Sequence, residues 1–174
     1  RDGGGTWEEC DGFSAVPGAK KWSFHWEGRD AHVRDVRIAP HDSDWLYAGI
    51  EVGGVLRSQD GGIHWDELHG IDPDVHTIDL SPLHSGVVYA GTANGPFRSR
   101  DAGDSWESIS AGLAQPYTLP INAAPDNPDH VLVGVASSSR RKNGEAYLST
   151  TGGSEWTRLD PLCSEDDMAV AFAW

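Results

Sequence analysis

A chain of 174 residues is long enough for one domain, and 38% hydrophobic with 23% charged residues is the composition of an ordinary globular protein. The formal charge of −14 argues against nucleic acid and anionic membrane partners, which such a field repels. No apolar run approaches the roughly 18 residues of a bilayer span, so no membrane insertion is expected, and Cys10 and Cys163 stand too far apart for a zinc cluster or a disulfide framework and read as unpaired thiols.

The chain opens on "RDGGGTW" (residues 1–7), and the phrase returns as "SQDGGIHW" (58–65), "SRDAGDSW" (99–106) and "STTGGSEW" (149–156). An opening inside a motif implies that the natural start lies upstream, and residues 1–10 read as the last strand of a repeat. A long loop follows from Asp11 to His32, "DGFSAVPGAKKWSFHWEGRDAH", against only "HGIDPD" one repeat later. Long loops on a rigid scaffold are common homes for binding groups. Trp22, Phe24 and Trp26 offer stacking surfaces for a sugar, with His25, Glu27, Arg29, Asp30 and His32 as polar partners; the alternative is that these aromatics fold the loop onto the scaffold.

Three repeats occupy 33–68, 75–109 and 118–159. Their motif tryptophans, Trp65, Trp106 and Trp156, recur at intervals of 41 and 50 residues, the period of blade-by-blade architectures. In the first repeat "VRDVRIA" alternates Arg34, Val36 and Ile38 onto one face, "WLYAGI" is a compact apolar run, "GVLRS" enters the motif and "HWDEL" leaves it, which makes four short strands. Pro40, Pro82 and Pro125 mark the turn after each first strand. No segment shows helical periodicity, and "MAVAFAW" (168–174) reads as the first strand of a further repeat. Four-stranded antiparallel sheets at this period predict an all-β fold, a β-propeller, present as a partial arc of about three to four blades. Such an arc is expected to need the remaining blades of the propeller or to self-associate.

The motif lies on the hairpin between third and fourth strands. Its glycines permit positive φ, its Asp or Ser bonds to turn backbone, and its tryptophan packs beside the hairpin. Asp2 and Trp7, then Ser58, Asp60, Gly62 and Trp65, then Ser99, Asp101, Gly103 and Trp106, and finally Ser149, Gly153 and Trp156 take these structural parts. Thr151 replaces the aspartate of the last copy, so that hairpin is expected to be held less tightly. The pattern S-x-D-x-G-x-x-W resembles the Asp-box, or BNR, repeat of sialidases, sortilin-type receptors, xyloglucan-active glycosidases and photosystem assembly factors. The resemblance implies a propeller with its ligand on the face opposite the Asp-box hairpins. It spans enzymes, receptors and scaffolds, so it assigns no single function.

Aligned on the prolines, Arg34, His76 and Leu119 share one position near the ligand-side ends of the innermost strands. A repeated position that changes in this way is where a site would be built. Arg34 beside His76 can clamp a carboxylate or phosphate, or the arginine pairs with a neighbouring acid. Glu51 lies in "GIEVGG", similar to the "DVGG" turn of xyloglucan-active glycosidases, whose aspartate is catalytic; the resemblance makes Glu51 the candidate catalytic residue, while the residues alone read as a solvated turn glutamate. Glycoside hydrolysis needs two carboxylates, and Glu27 or Asp30 is the only partner to suggest. The arginine triad and Tyr-Glu pair of sialidases have no counterpart. "RRKNGE" (140–145) is a basic insertion, either an anion contact or a solvated loop. His69, Asp72, Asp74 and His76 match no familiar metal spacing, and neither metal nor cofactor is expected. The expected ligand-binding residues are Arg34, His76, Glu51, Trp22, Trp26 and His32. The expected function is a binding or assembly module for a glycan or a protein, with part of a glycoside hydrolase as the alternative.

Overall fold

The computed structural model describes residues 4–23, 31–140, 142–159 and 166–173. Three antiparallel sheets follow one another along the chain, each a consecutive meander of four strands. The first holds β1 (Val33–Ala39), β2 (Asp42–Ile50), β3 (Gly54–Ser58) and β4 (Asp66–Leu68). The second holds β5 (Val75–Leu80), β6 (Val88–Thr92), β7 (Gly95–Ser99) and β8 (Glu107–Ser108). The third holds β9 (Tyr117–Ala123), β10 (Val131–Ala136), β11 (Glu145–Ser149) and β12 (Thr157–Leu159). Stacked face to face, they form a three-blade arc of a β-propeller, as the repeat predicts.

Alternation along the strands gives every blade two apolar faces, one for each neighbour. Tyr47, Val55 and Leu68 of blade 1 meet Val75, Ile78, Leu80 and Val88 of blade 2. Tyr89 and Ile109 of blade 2 meet Ile121, Val131 and Val133 of blade 3. Close stacking requires a bare backbone at one point of each second strand. A side chain on Gly49 would meet Val75 Cγ1 at 2.9 Å, and one on Gly91 would meet Thr77 Cγ2 at 2.9 Å and Leu119 O at 3.2 Å. At Gly134 the carbonyl oxygen of Ala169 takes the place that Leu119 O takes over Gly91, 3.1 Å from the added carbon. Residues 168–173 thus pass beside blade 3 where a next inner strand would run, although they have no strand partners.

Polar locks supplement this packing. Tyr47 and Arg57, opposite one another on β2 and β3, both donate to the carbonyl of Ala102 in the next blade's Asp-box, at 3.0 and 2.9 Å. Arg98, opposite Tyr89, donates to the carbonyl of Gly152 in the following box. Nearer the axis, Asp35 accepts from the amide of Ile78 at 2.9 Å and Asp79 from the amide of Ala123 at 2.8 Å. Burial drives the Asp79 carboxyl upward from the ordinary range.

Side-chain hydrogen bonds to backbone amides close the three described hairpins. Ser58, Ser99 and Ser149 accept from the amides of Gly62, Gly103 and Gly153 at 2.9, 2.7 and 2.7 Å, and those glycines have φ near +93°, +100° and +93°. Asp60 takes the His64 amide and ring nitrogen at 2.9 and 2.6 Å, and Asp101 takes the Ser105 amide and hydroxyl at 2.8 and 2.6 Å. Thr151 accepts the Glu155 amide at 2.8 Å and has a longer, 3.3 Å hydrogen bond with the Ser149 hydroxyl. Trp65, Trp106 and Trp156 are half-buried at the seams, and Trp156 Nε1 donates to Ile109 O at 2.7 Å.

Three expectations need correction. The loop after the first motif contains a short helix, α1 (Asp11–Ser14), and a 3-10 turn at Pro17–Lys21. Phe13, Val16, Ala19 and Trp22 recur every third residue along it, so they share one side and cover Ala48, Ile50 and Leu56 of blade 1. Trp7 is 90% exposed instead of packed at a seam, because the described residues 4–10 form no strand beside it. Its turn is nonetheless formed: Gly4 has φ +87° and faces the Trp7 ring as Gly62 and Gly103 face Trp65 and Trp106. Finally, Arg34 does not share the face of Val36 and Ile38. The pairing of β1 with β2 slips between Val33 and Asp35, a bulge that brings Val33 onto that face and takes Arg34 out of the alternation.

Candidate functional site at the rim opposite the Asp-boxes

The same slip recurs between Val75 and Thr77 in blade 2. Arg34 and His76 are therefore the bulged residues at this point of blades 1 and 2, and a bulge re-aims its side chain. Arg34 turns to the β2–β3 corner, where its guanidinium donates to Glu51 Oε2 at 3.0 Å, while His32 Nδ1 lies 3.8 Å from the same oxygen. Glu51 is only 7% exposed, so it is not the solvated turn residue that local sequence suggests. The corner is strained: Val52, β-branched, has φ +55°, fixed by Pro73 O, which accepts from the amides of Gly53 and Gly54 at 3.0 and 2.8 Å.

His76 is buried. Its Nδ1 faces the carbonyl oxygen of Thr118 at 2.7 Å and so carries the hydrogen, and its Nε2 points at Asp74 Oδ1, 3.3 Å away. The Tyr117 ring lies over it, with centroids 4.4 Å apart. Blade 1 thus contributes an arginine–glutamate pair and blade 2 a histidine–aspartate pair, each fixed by its own bulge.

Two clefts adjoin these pairs. One, of about 520 Å³, faces the channel and is lined by Arg34, Arg37, His76 and Asn122 among others. The other, of about 340 Å³, lies on the rim and is lined by Glu51, Asp74, Asn94, Tyr117 and Ser137–Ser139. Asn94 is held by Asp72 at 2.6 Å. Asp74, Asn94 and Tyr117 are the members that the alignment missed. Asp74 and Tyr117 each lie two residues before the aligned positions His76 and Leu119, and no shared residue type marks them.

Of the residues proposed from sequence, Arg34, Glu51 and His32 come together, and His76 shares the channel cleft with Arg34. Trp22 does not overhang the rim freely; it packs edge-on against Phe13, with centroids 5.5 Å apart, on the face of blade 1. Asp2, Cys163, Trp26 and the remaining aromatic and polar residues at 24–30 lie outside the described residues. Among the described residues no three His, Cys, Asp or Glu side chains are placed to hold a metal ion, and no helix is long and apolar enough to cross a membrane. In the basic insertion, Lys142 pairs with Asp166 at 3.2 Å.

The fold and its box hairpins define an Asp-box propeller. The family model described as Sortilin, neurotensin receptor 3 (Sortilin-Vps10) matches residues 53–170, and the chain belongs to that family. An oligoxyloglucan-reducing end-specific xyloglucanase of Emericella nidulans is 27% identical over 105 residues, covering 56% of this chain and 13% of its own length. The photosystem II assembly lipoprotein Ycf48 of Synechococcus sp. (strain CC9605) is 28% identical over 116 residues, covering 64% of this chain and 32% of its own. The chain therefore spans only a minor part of the relatives it matches. Among solved structures, an ancestral GH74 enzyme superposes with a TM-score of 0.64 at 19% identity, covering 73% of this chain and 18% of its own. A YCF48 structure bound to D1 peptide superposes with a TM-score of 0.56 at 20% identity, covering 91% of this chain and 46% of its own. At these identities the structural likeness speaks for the fold alone.

Proposed function

We propose that the chain is a binding and assembly module, and that its rim cleft receives an extended segment of a protein partner. The carrying observation is the commitment of Glu51. A hydrolytic carboxylate must be free to meet a glycosidic oxygen or a water, whereas Glu51 Oε2 already holds the Arg34 guanidinium at 3.0 Å with His32 nearby. What remains on the rim is a fixed set of donors and acceptors, Asn94 and Ser137–Ser139, beside the aromatic face of Tyr117. Such a combination suits the alternating amides of a peptide. The peptide-bound YCF48 structure supports this reading by similarity.

A glycan ligand, or a part in glycoside hydrolysis, is the second reading. It is favoured by the xyloglucanase similarity and by the position of Glu51 in "GIEVGG". One experiment separates the two. A phage-displayed random-peptide library is selected against the chain, and the selected peptides and xyloglucan oligosaccharides are titrated by calorimetry, alongside a reducing-end assay on xyloglucan. Peptide binding that weakens in Asn94→Ala and Tyr117→Ala, with no release of reducing ends, is the expected result. Xyloglucan turnover lost in Glu51→Gln would overturn the proposal.

A further inference from the structure

The box face, opposite the rim cleft, carries a cavity of about 270 Å³ in the seam between blades 1 and 2. Half-buried Ala39, Trp45, Gly86 and Ala102 give it apolar walls, and exposed His41, Asp42 and Ser85 stand at its edge. Two of these residues break the repeat. Trp45 precedes the strand position opposite the box serine, a place that Val87 and His130 hold in blades 2 and 3. Ala102 stands three residues after its box serine, where the boxes of blades 1 and 3 have Gly61 and Gly152, and all three have positive φ, +60°, +71° and +65°. That backbone suits glycine and is costly for alanine. The bonds made by Ala102 need no side chain: its amide donates to Gly86 O at 2.8 Å, and its carbonyl accepts from Tyr47 and Arg57. What alanine adds is a methyl group at the cavity. Strain retained where glycine would serve points to function, and here it meets the second departure, a tryptophan of the neighbouring blade.

The charges around the cavity select its ligand. The Arg57 guanidinium, with its carbon 5.6 Å from the centre of the Trp45 ring, is already held by Asp104 at 2.8 Å and by the Ala102 carbonyl. Asp42 is the carboxylate among the lining residues, and among the described residues it uses only Oδ1, which accepts from the Asp44 amide at 3.0 Å. The chain as a whole carries a formal charge of −14. A cation is drawn to such an edge, and one on an apolar stem can lay that stem along Trp45, Ala39 and Ala102. Arginine fits better than lysine, because its planar guanidinium both stacks on an indole and forks onto a carboxylate.

We infer that this cavity is a second binding site and that it takes an arginine side chain of a protein partner, with the stem against Trp45 and Ala102 and the guanidinium on Asp42. The site does not depend on what the rim cleft binds, since the two lie on opposite faces of the arc. With both filled, the chain holds one protein segment on each face.

The test uses three acetylated, amidated tripeptides: Gly-Arg-Gly, Gly-citrulline-Gly and Gly-norleucine-Gly. Each is titrated into isotope-labelled chain, and the Trp45 indole N–H and the Ala102 amide are followed by NMR. The arginine peptide should give saturable shifts. The citrulline and norleucine peptides should bind roughly tenfold more weakly, the loss of one charge-assisted contact. Asp42→Asn should erase the preference for arginine. Trp45→Val, which installs the residue of blade 2, should weaken arginine binding severalfold. Ala102→Gly should weaken it too while leaving Tm unchanged or raised, a split that a purely structural alanine would not give. No saturable shift, a norleucine peptide bound as tightly as the arginine peptide, or full arginine binding in Ala102→Gly would each overturn the inference.

Discussion

The hydroxyl of Tyr47 lies 3.0 Å from the carbonyl oxygen of Ala102, a residue of the next blade that holds φ +60° where the other boxes have Gly61 and Gly152. A side chain of one repeat thus grips a left-handed residue in the box turn of its neighbour. Burial pushes the Tyr47 phenol up to about 12, so it stays a donor under ordinary conditions. Tyr47→Phe should cost about 1 kcal/mol, the net worth of one such bond, measured by denaturant unfolding. An unchanged midpoint would show that Arg57 alone, which reaches the same oxygen at 2.9 Å, suffices.

Asp101→Ala should lower Tm more than Thr151→Ala. Asp101 holds both an amide and a hydroxyl of Ser105, whereas Thr151 holds one amide. Equal losses in thermal melts would remove the claim that the aspartate does more than the threonine.

Acid should act on two hairpins and spare the third. The His64 amide and side chain hold Asp60 at about 2, and the Ser105 hydroxyl and amide hold Asp101 at about 2. A folded value below the unfolded 3.8 means that the contribution is complete above that pH and is lost as pH falls through about 2. Amide shifts of His64 and Ser105, followed by NMR, should titrate over this window.

Arg34→Ala leaves a largely buried Glu51 with only the more distant His32. It should destabilise the chain by about 1–3 kcal/mol, and adding Glu51→Gln should recover part of the loss by removing the uncompensated charge. A double variant no more stable than Arg34→Ala would mean that the pair contributes through packing rather than charge.

Gly91→Ala should be destabilising by roughly 1–3 kcal/mol, because the added carbon would lie within 3.2 Å of the Leu119 carbonyl, a backbone atom with little room to withdraw. Gly70→Ala, with positive φ but open space around it, tests backbone strain alone and should cost less.

The strands and box turns were legible in sequence because each leaves a repeated mark: alternation, prolines at 40, 82 and 125, and glycines where φ must be positive. The bulges were not. One extra residue in β1 has no compositional signature, so alternation placed Arg34 with Val36 and Ile38; an acid partner for Arg34 could be offered as one of two possibilities, but Glu51, 17 residues away, could not be named as that partner. The acids Asp35 and Asp79 went unnoticed because they act across blades and occupy positions that differ by two in the alignment. The α1 segment was obscured by its brevity: a four-residue helix supplies barely one turn of periodicity.

Most of the inter-blade grips end on main-chain atoms, the carbonyls of Ala102 and Gly152 and the amides of Ile78 and Ala123, although Arg57 also reaches the Asp104 carboxylate and Thr77 the Asp35 carboxylate. A receiving repeat is therefore recognised by the path of its backbone, which every copy shares, as well as by its apolar face. A blade that carries the Tyr–Arg pair can therefore hold whichever repeat is placed after it, so duplication of such a blade creates a junction that is already fitted.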